Sequence, residues 1–288
     1  MARRYVARDP RTWKKIGSSA ASIDVNIQGL LPEDGPWQRI PKHEVIPLAR
    51  GNVSSVEISR GKGGSFAVRV DGILALHMVM EESLDEAHEV MLDCLDDDDD
   101  EIRMVALRGL PPLALKRHDG LLQCLSDRLL DENELVCQAA RRCLTLVAPV
   151  FPSGCEEILR RELRRREKNH RKNAFEALRL TAENWPEAGC LHLDELIRED
   201  DVDLRRRGSK ILRTIATRHG STGWDLVGWS LEDEDPQVRR NASGTLVQLA
   251  NTEPAIATIL IEAAMQDDDS GVRKSVIRAL KRLDMRNP

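Results

Sequence analysis

The residues best suited to chemistry in this chain are basic. Positions 160 to 172 read RRELRRREKNHRK, eight Lys/Arg against two Glu. Leu159 and Leu163 fall at helical spacing on a buried stripe, so Arg160, Arg161, Arg164 and Arg165 are expected to face outward. Further along, Trp224 and Trp229 bracket WDLVGW, and at least one of them must lie off the stripe set by Val227 and Leu231. Guanidinium groups beside an exposed indole can grip a phosphate backbone or an acidic peptide. The bland alternative is that the arginines coat a solvated helix and the tryptophans fill gaps between layers.

Acids offer a second kind of chemistry. LDDDDDEIRMVAL (95 to 107) holds five consecutive aspartates followed by Glu101. A calcium loop needs spaced ligands, a central Gly and a distant bidentate Glu, and this run has none of that order. Six cysteines form no CxxC pair and are expected as buried thiols. HExxH, GxSxG, Walker and dinucleotide fingerprints are absent. RGKGGS (60 to 65) could hold an anion ahead of a helix, yet it also reads as an ordinary turn. No catalytic residue, metal ligand or cofactor is therefore assigned, and the chain is expected not to be an enzyme.

What positions these residues is a repeat. Stepping by 34 from Ile102-Arg103 gives Val68-Arg69, Val136-Cys137, His170-Arg171, Leu204-Arg205, Val238-Arg239 and Val272-Arg273. Four residues after each anchor stand Gly72, Ala106, Ala140, Ala174, Gly208, Ala242 and Val276, and eight after it stand Leu76, Leu110, Leu144, Leu178, Leu212, Leu246 and Leu280. Those positions share one face of a first helix, with a small middle where another helix crosses closely. A second stripe, from Met91 and Leu95 to Ile261 and Met265, defines a second helix in each complete unit. Three residues before the anchors come Ser65, Asp99, Asn133, Glu167, Asp201, Asp235 and Asp269, six of them good N-cap types. The aspartate run thus reads as a repeat joint with surplus charge, welcomed by the helix dipole.

Acidic residues, then apolar-Arg, a small residue four on and Leu eight on, as in EDPQVRRNASGTL (234 to 246) and DSGVRKSVIRAL (269 to 280), resemble the short HEAT-like repeats first described in phycobilisome lyases. The resemblance covers residues 65 to 283 and implies an all-α fold, an α-solenoid of about seven 34-residue helical hairpins. It implies a docking surface, lined on its concave side by second helices, for another protein or peptide. Two enzymatic relatives of the class supply other expectations. HEAT-like alkylpurine DNA glycosylases hold duplex DNA on a basic concave face, so nucleic-acid binding is the alternative, although Asp194 and Glu195 interrupt the basic track. Deoxyhypusine hydroxylase binds two irons through His-Glu pairs, of which only His43-Glu44 and His88-Glu89 occur, and His88 is expected on a helix surface.

Two domains are expected: residues 1 to 64, an irregular basic segment capping repeat 1, and the repeats from 65 to 288. The first carries five surplus positive charges, against ten surplus negative charges in the remainder. A short hairpin from Val56 to Phe66 competes with the start of the first helix. The last helix is expected to bury Val272, Val276, Leu280 and Leu283 and to close the stack. With no 18-residue apolar run and no signal-like start, a cytoplasmic protein without a membrane partner is expected.

Overall fold

A computed structural model describes residues 5–6, 22–23, 29–58, 65–116 and 118–285. Most of the basic arm, Trp13 and residues 59–64 lie outside these residues. Helix α1 (Lys42–Arg50) precedes first helices α2 (Arg69–Ala75), α4 (Asp100–Ala114), α6 (Glu134–Val147) and α8 (Lys168–Asn184). A split first helix, α10 (Val202–Gly208) and α11 (Leu212–Arg218), is followed by α13 (Pro236–Thr252) and α15 (Ser270–Asp284). The second helices are α3 (Leu84–Leu95), α5 (Asp119–Arg128), α7 (Pro152–Leu163), α9 (Pro186–Ile197), α12 (Ser221–Leu231) and α14 (Pro254–Ala264). This is the all-α repeat architecture of an α-solenoid. Two small antiparallel ladders join β1 (Tyr5–Val6) to β2 (Ser22–Ile23) and β3 (Val56–Glu57) to β4 (Phe66–Ala67). Two compact units, residues 1–159 and 160–288, divide the chain.

The core follows the 34-residue register. All seven small positions from Gly72 to Val276 are buried, and so are the leucines from Leu76 to Leu246. Leu280 and Leu283 of α15 are only half-buried, and Met265 is exposed, because no further hairpin covers them among the described residues.

The first repeat departs from the register. Pairing of β4 with β3 takes up Phe66 and Ala67, so α2 starts later and its N-cap is Val68 instead of Ser65. Asp71 repairs that end by accepting from the Val68 N–H at 3.0 Å. Helix α1, which no periodicity announces, buries Val45, Leu48 and Ala49 beside α2 and stops at Gly51, whose φ of 77° suits glycine. A Cβ on Gly72 would stand 2.7 Å from the Ala49 backbone nitrogen, so only glycine permits this crossing.

The joints are built from the acidic clusters. Asp99, Asn133, Asp201, Asp235 and Asp269 each accept from N–H groups of the helix they open. Two residues earlier, Asp97, Asp131, Asp233 and Asp267 accept from the capping residue's own N–H at 2.9, 3.0, 2.8 and 2.7 Å. Their remaining oxygens meet an arginine 28 positions back: Arg69 to Asp97, Arg103 to Asp131, Arg205 to Asp233 and Arg239 to Asp267. Arg103, Arg205 and Arg239 use one more nitrogen on two carbonyls of the turn before their own helix. The guanidinium therefore ties one turn to the next, its fork matching a carboxylate. In the third repeat Cys137 replaces the arginine, and the position 28 further on is Arg165, so both partners of that clamp are missing together.

The aspartate run is explained atom by atom. Asp96 meets Arg128 at 3.3 Å, Asp97 meets Arg69, and the Asp98 carbonyl accepts from Arg103. Asp99 caps α4, while Asp100 accepts from Arg103 and, at 2.6 Å, from Asn133.

Candidate functional site

In the second unit the basic segment sits where the end of α7 faces α9. Arg160 forks onto Glu195, with Nε and Nη2 at 3.0 and 2.9 Å from its oxygens. Arg164 reaches both Glu199, at 2.7 Å from Nε, and Glu195, at 3.2 Å. Bonds from Arg160 hold the Glu195 carboxyl below the usual carboxylate range against the opposing effect of burial. Arg161 and Arg165 turn another way, to Glu162 at 3.1 and 3.0 Å. Glu162 is only 1% exposed, and its second oxygen meets His170 Nδ1 at 3.0 Å. Burying a carboxylate is costly unless it is paired and hydrogen-bonded, and here two arginines and a histidine surround it. Of the four arginines expected to face outward, only Arg161 is classed as exposed, and each already has a carboxylate partner.

The two tryptophans separate. Trp224 is half-buried and donates Nε1–H to the Ala216 carbonyl at 3.2 Å, a packing role between α11 and α12. Trp229 is 56% exposed, and the Arg198 guanidinium lies 3.8 Å over its ring. Asp194, one turn back on α9, holds Arg198 at 2.9 Å and fixes it over the indole. Leu191 on α9 and Ile259 on α14, second helices packed on either side of α12, are each 63% exposed. Asp225 stands one turn before Trp229 on the same exposed face. Together these side chains form an exposed patch of aromatic and aliphatic groups bordered by charge.

Sequence reasoning missed Arg198, Leu191 and Ile259. The repeat itself carried the signal: Leu191 and Ile259 both stand 21 residues after an anchor, where the other hairpins hold Glu89, Gln123, Glu157 and Asp225. An apolar residue in a row otherwise polar marks a departure that packing within the repeat does not require.

Other reactive groups are sequestered. Five of the six cysteines are buried and Cys124 is half-buried. Burial pushes the Cys94 and Cys190 thiols up to about 11 and Cys155 up to about 12, so none is an activated nucleophile. His88 is buried, contrary to its expected surface position, because α3 turns it against His118, with ring centroids 4.9 Å apart. Desolvation, followed by the neighbouring His118, lowers its pKa. Among the described residues no group of three or more His, Cys, Asp or Glu is arranged to hold a metal ion. No helix among them is long and apolar enough to cross a membrane.

A family model described as HEAT repeats matches residues 225–288. No curated protein matches the chain. Solved structures similar to it include the archaeal HEAT-like repeats protein from Thermococcus onnurineus NA1, at 14% identity over 88% of this chain and 99% of that one, with a TM-score of 0.46. Importin beta is similar at 14% identity over 85% of this chain and 35% of that one, with a TM-score of 0.48. A computationally designed armadillo repeat protein for modular peptide recognition is similar at 19% identity over 67% and 98%, with a TM-score of 0.41. Over residues 225–288 the family model supports the HEAT-like reading, without the phycobilisome lyase branch being singled out.

Proposed function

We propose that this chain of HEAT-like repeats is a non-catalytic docking protein, and that the exposed side of α9, α12 and α14 receives a protein or peptide with an apolar or aromatic anchor. One observation carries the reading: Trp229 stands exposed while Arg198, held by Asp194, is stacked on its ring. An indole clamped in one orientation loses little freedom when a partner arrives, which is how hot-spot residues work. Leu191 and Ile259 extend the apolar area on either side, and the exposed Asp225 and Glu232 give it a charged rim. The nucleic-acid alternative draws no support from the arginines, because Glu162, Glu195 and Glu199 already take their charge.

The test is selection of a random peptide library on the immobilised full chain, followed by titration of the selected peptides. Trp229→Ala is expected to weaken them by ~30-fold, the loss of about 2 kcal/mol associated with a hot-spot aromatic. Arg198→Ala is expected to weaken them less. Selected peptides that bind the Trp229→Ala chain as tightly as the parent would place the docking surface elsewhere.

A further inference from the structure

The patch around Trp229 carries a charge asymmetry that the fold does not need. Helices α12 and α14 contain no Lys or Arg, and Arg198, at the end of α9, is already held by Asp194. Asp225, Glu232 and Glu262 are exposed on these helices or at their ends. Among the described residues none of the three has an ion pair or a side-chain hydrogen bond.

Local stability gives no reason for these acids. A carboxylate is favoured in the first turn of a helix, where Glu187 stands in α9, and disfavoured in the last. Glu232 sits at the C-cap of α12 and Glu262 in the last turn of α14, both against the helix dipole. Asp225 lies in the middle of α12, where aspartate is a poor helix former.

The exposed apolar side chains occupy the same register. Leu191, Asp225 and Ile259 are successive 34-residue equivalents, so Asp225 stands between two aliphatic groups that are each 63% exposed. Trp229 is one turn further along the exposed side of α12, with Glu232 three residues beyond it. Helix α12 is flanked by both α9 and α14, and Trp229 is exposed all the same, so its exposure belongs to this side of the hairpins and not to an end of the array. Apolar surface left in water and carboxylates left without partners thus coincide, and one occupant would satisfy both.

We infer that this surface takes a basic amphipathic segment of a partner protein. Its Lys or Arg side chains meet Asp225, Glu232 and Glu262, while an apolar side chain covers Trp229 between Leu191 and Ile259. The inference rests on the docking reading above and adds the partner's charge. Charge complementarity selects this occupant: the same carboxylates repel nucleic acid, and a second copy meeting this face with its own would set acid against acid. Apolar contact supplies the affinity, and the acids turn away acidic competitors.

Short random-sequence peptides are selected on the full chain at about 150 mM salt, where the general field of the protein is screened beyond roughly 8 Å. Those that bind the Trp229→Ala chain more weakly are sequenced and titrated by fluorescence anisotropy. Enrichment in Lys and Arg over the unselected pool is expected. Changing Asp225, Glu232 and Glu262 together to Lys should weaken these peptides about tenfold or more, as three attractions become repulsions. A control with Asp93, Asp98 and Glu132 changed to Lys alters the net charge equally in the other unit and should shift affinity less than about threefold. All six side chains are exposed, and Lys is welcome at the ends of α12 and α14, so thermal melting is expected to show both variants folded. Trp229-dependent peptides without basic enrichment, equal weakening by both charge-reversed chains, or weakening by neither would overturn this inference and leave the docking reading intact. Absence of any Trp229-dependent peptide would overturn both. Sedimentation showing a dimer of the free chain that Trp229→Ala dissolves would assign the surface to a second copy and overturn the inference equally.

Discussion

Replacing Arg239 by alanine isolates the contribution of a single clamp. Arg239 gives Asp267 two bonds, at 2.8 and 3.2 Å, and gives two carbonyls bonds at 2.9 and 3.0 Å. The Asp267 side chain is only 7% exposed, so removing the guanidinium leaves a carboxylate short of solvent with the Asp269 N–H still bonded. Breaking a fully buried pair costs about 3–5 kcal/mol, and an exposed pair less than about 1. A joint at the edge of solvent falls between, at ~2–4 kcal/mol for Arg239→Ala. Arg273 provides the control. It has the same sequence neighbourhood and the same two carbonyls but no carboxylate among the described residues, so Arg273→Ala is expected to cost about 1 kcal/mol. Urea unfolding followed by circular dichroism measures both variants. Adding Asp267→Asn completes a double-mutant cycle, with an expected coupling of ~1–3 kcal/mol. Repeat arrays can lose two-state behaviour, so the slopes must match before the midpoints are compared. Equal costs for the two arginines, or a coupling near zero, would refute the reasoning that the carboxylate bond holds the joint.

Two further outcomes are expected. His88 has a lowered pKa in the fold, so on acidification the unfolded chain takes up a proton first, near the ordinary value of about 6.5. Stability contributed by the neutral side chain is then lost as pH falls from there toward the lower folded value, and thermal melting compared at about pH 7.5 and about pH 5 should show a shallower acid slope for His88→Leu than for the parent. Gly72→Val should destabilise the first unit by roughly 2 kcal/mol or more, since the new Cβ meets Ala49 backbone and cannot be relieved by a rotamer; chemical denaturation would reveal it as an early transition.

The hairpins were legible because their signal is local and repeated. Leucine stands eight residues past every anchor, a Gly or Ala four past six of the seven, and a capping Asp or Asn three before five of them, each for one physical reason. The clamps were not read from the sequence: arginine and aspartate recur 28 positions apart, but pairing them requires knowing that such positions face each other. The partners of Arg160 and Arg164 were harder to read. Helical spacing sends both off the leucine stripe, but it carries no information about what the next hairpin offers, and Glu195 and Glu199 lie 35 residues away on another helix. Helix α1 and the Val68 cap escaped for the opposite reason: the first repeat leaves the register just where a two-residue ladder competes with the helix start. His88 looked like a surface residue because it follows Glu86 and Ala87 and precedes Glu89, and nothing in that local pattern announces its packing against His118.

The clamp also bears on how such a chain can change. Each arginine joins the turn before its own helix to the turn that follows, so every tie is closed within a fixed stretch of sequence. Duplicating or removing one whole 34-residue unit between two intact clamps carries donor and acceptor along together and leaves no orphan at the splice. A shorter insertion inside that stretch would separate the pair and expose a charge, so length in this architecture is free to vary in whole steps and penalised between them.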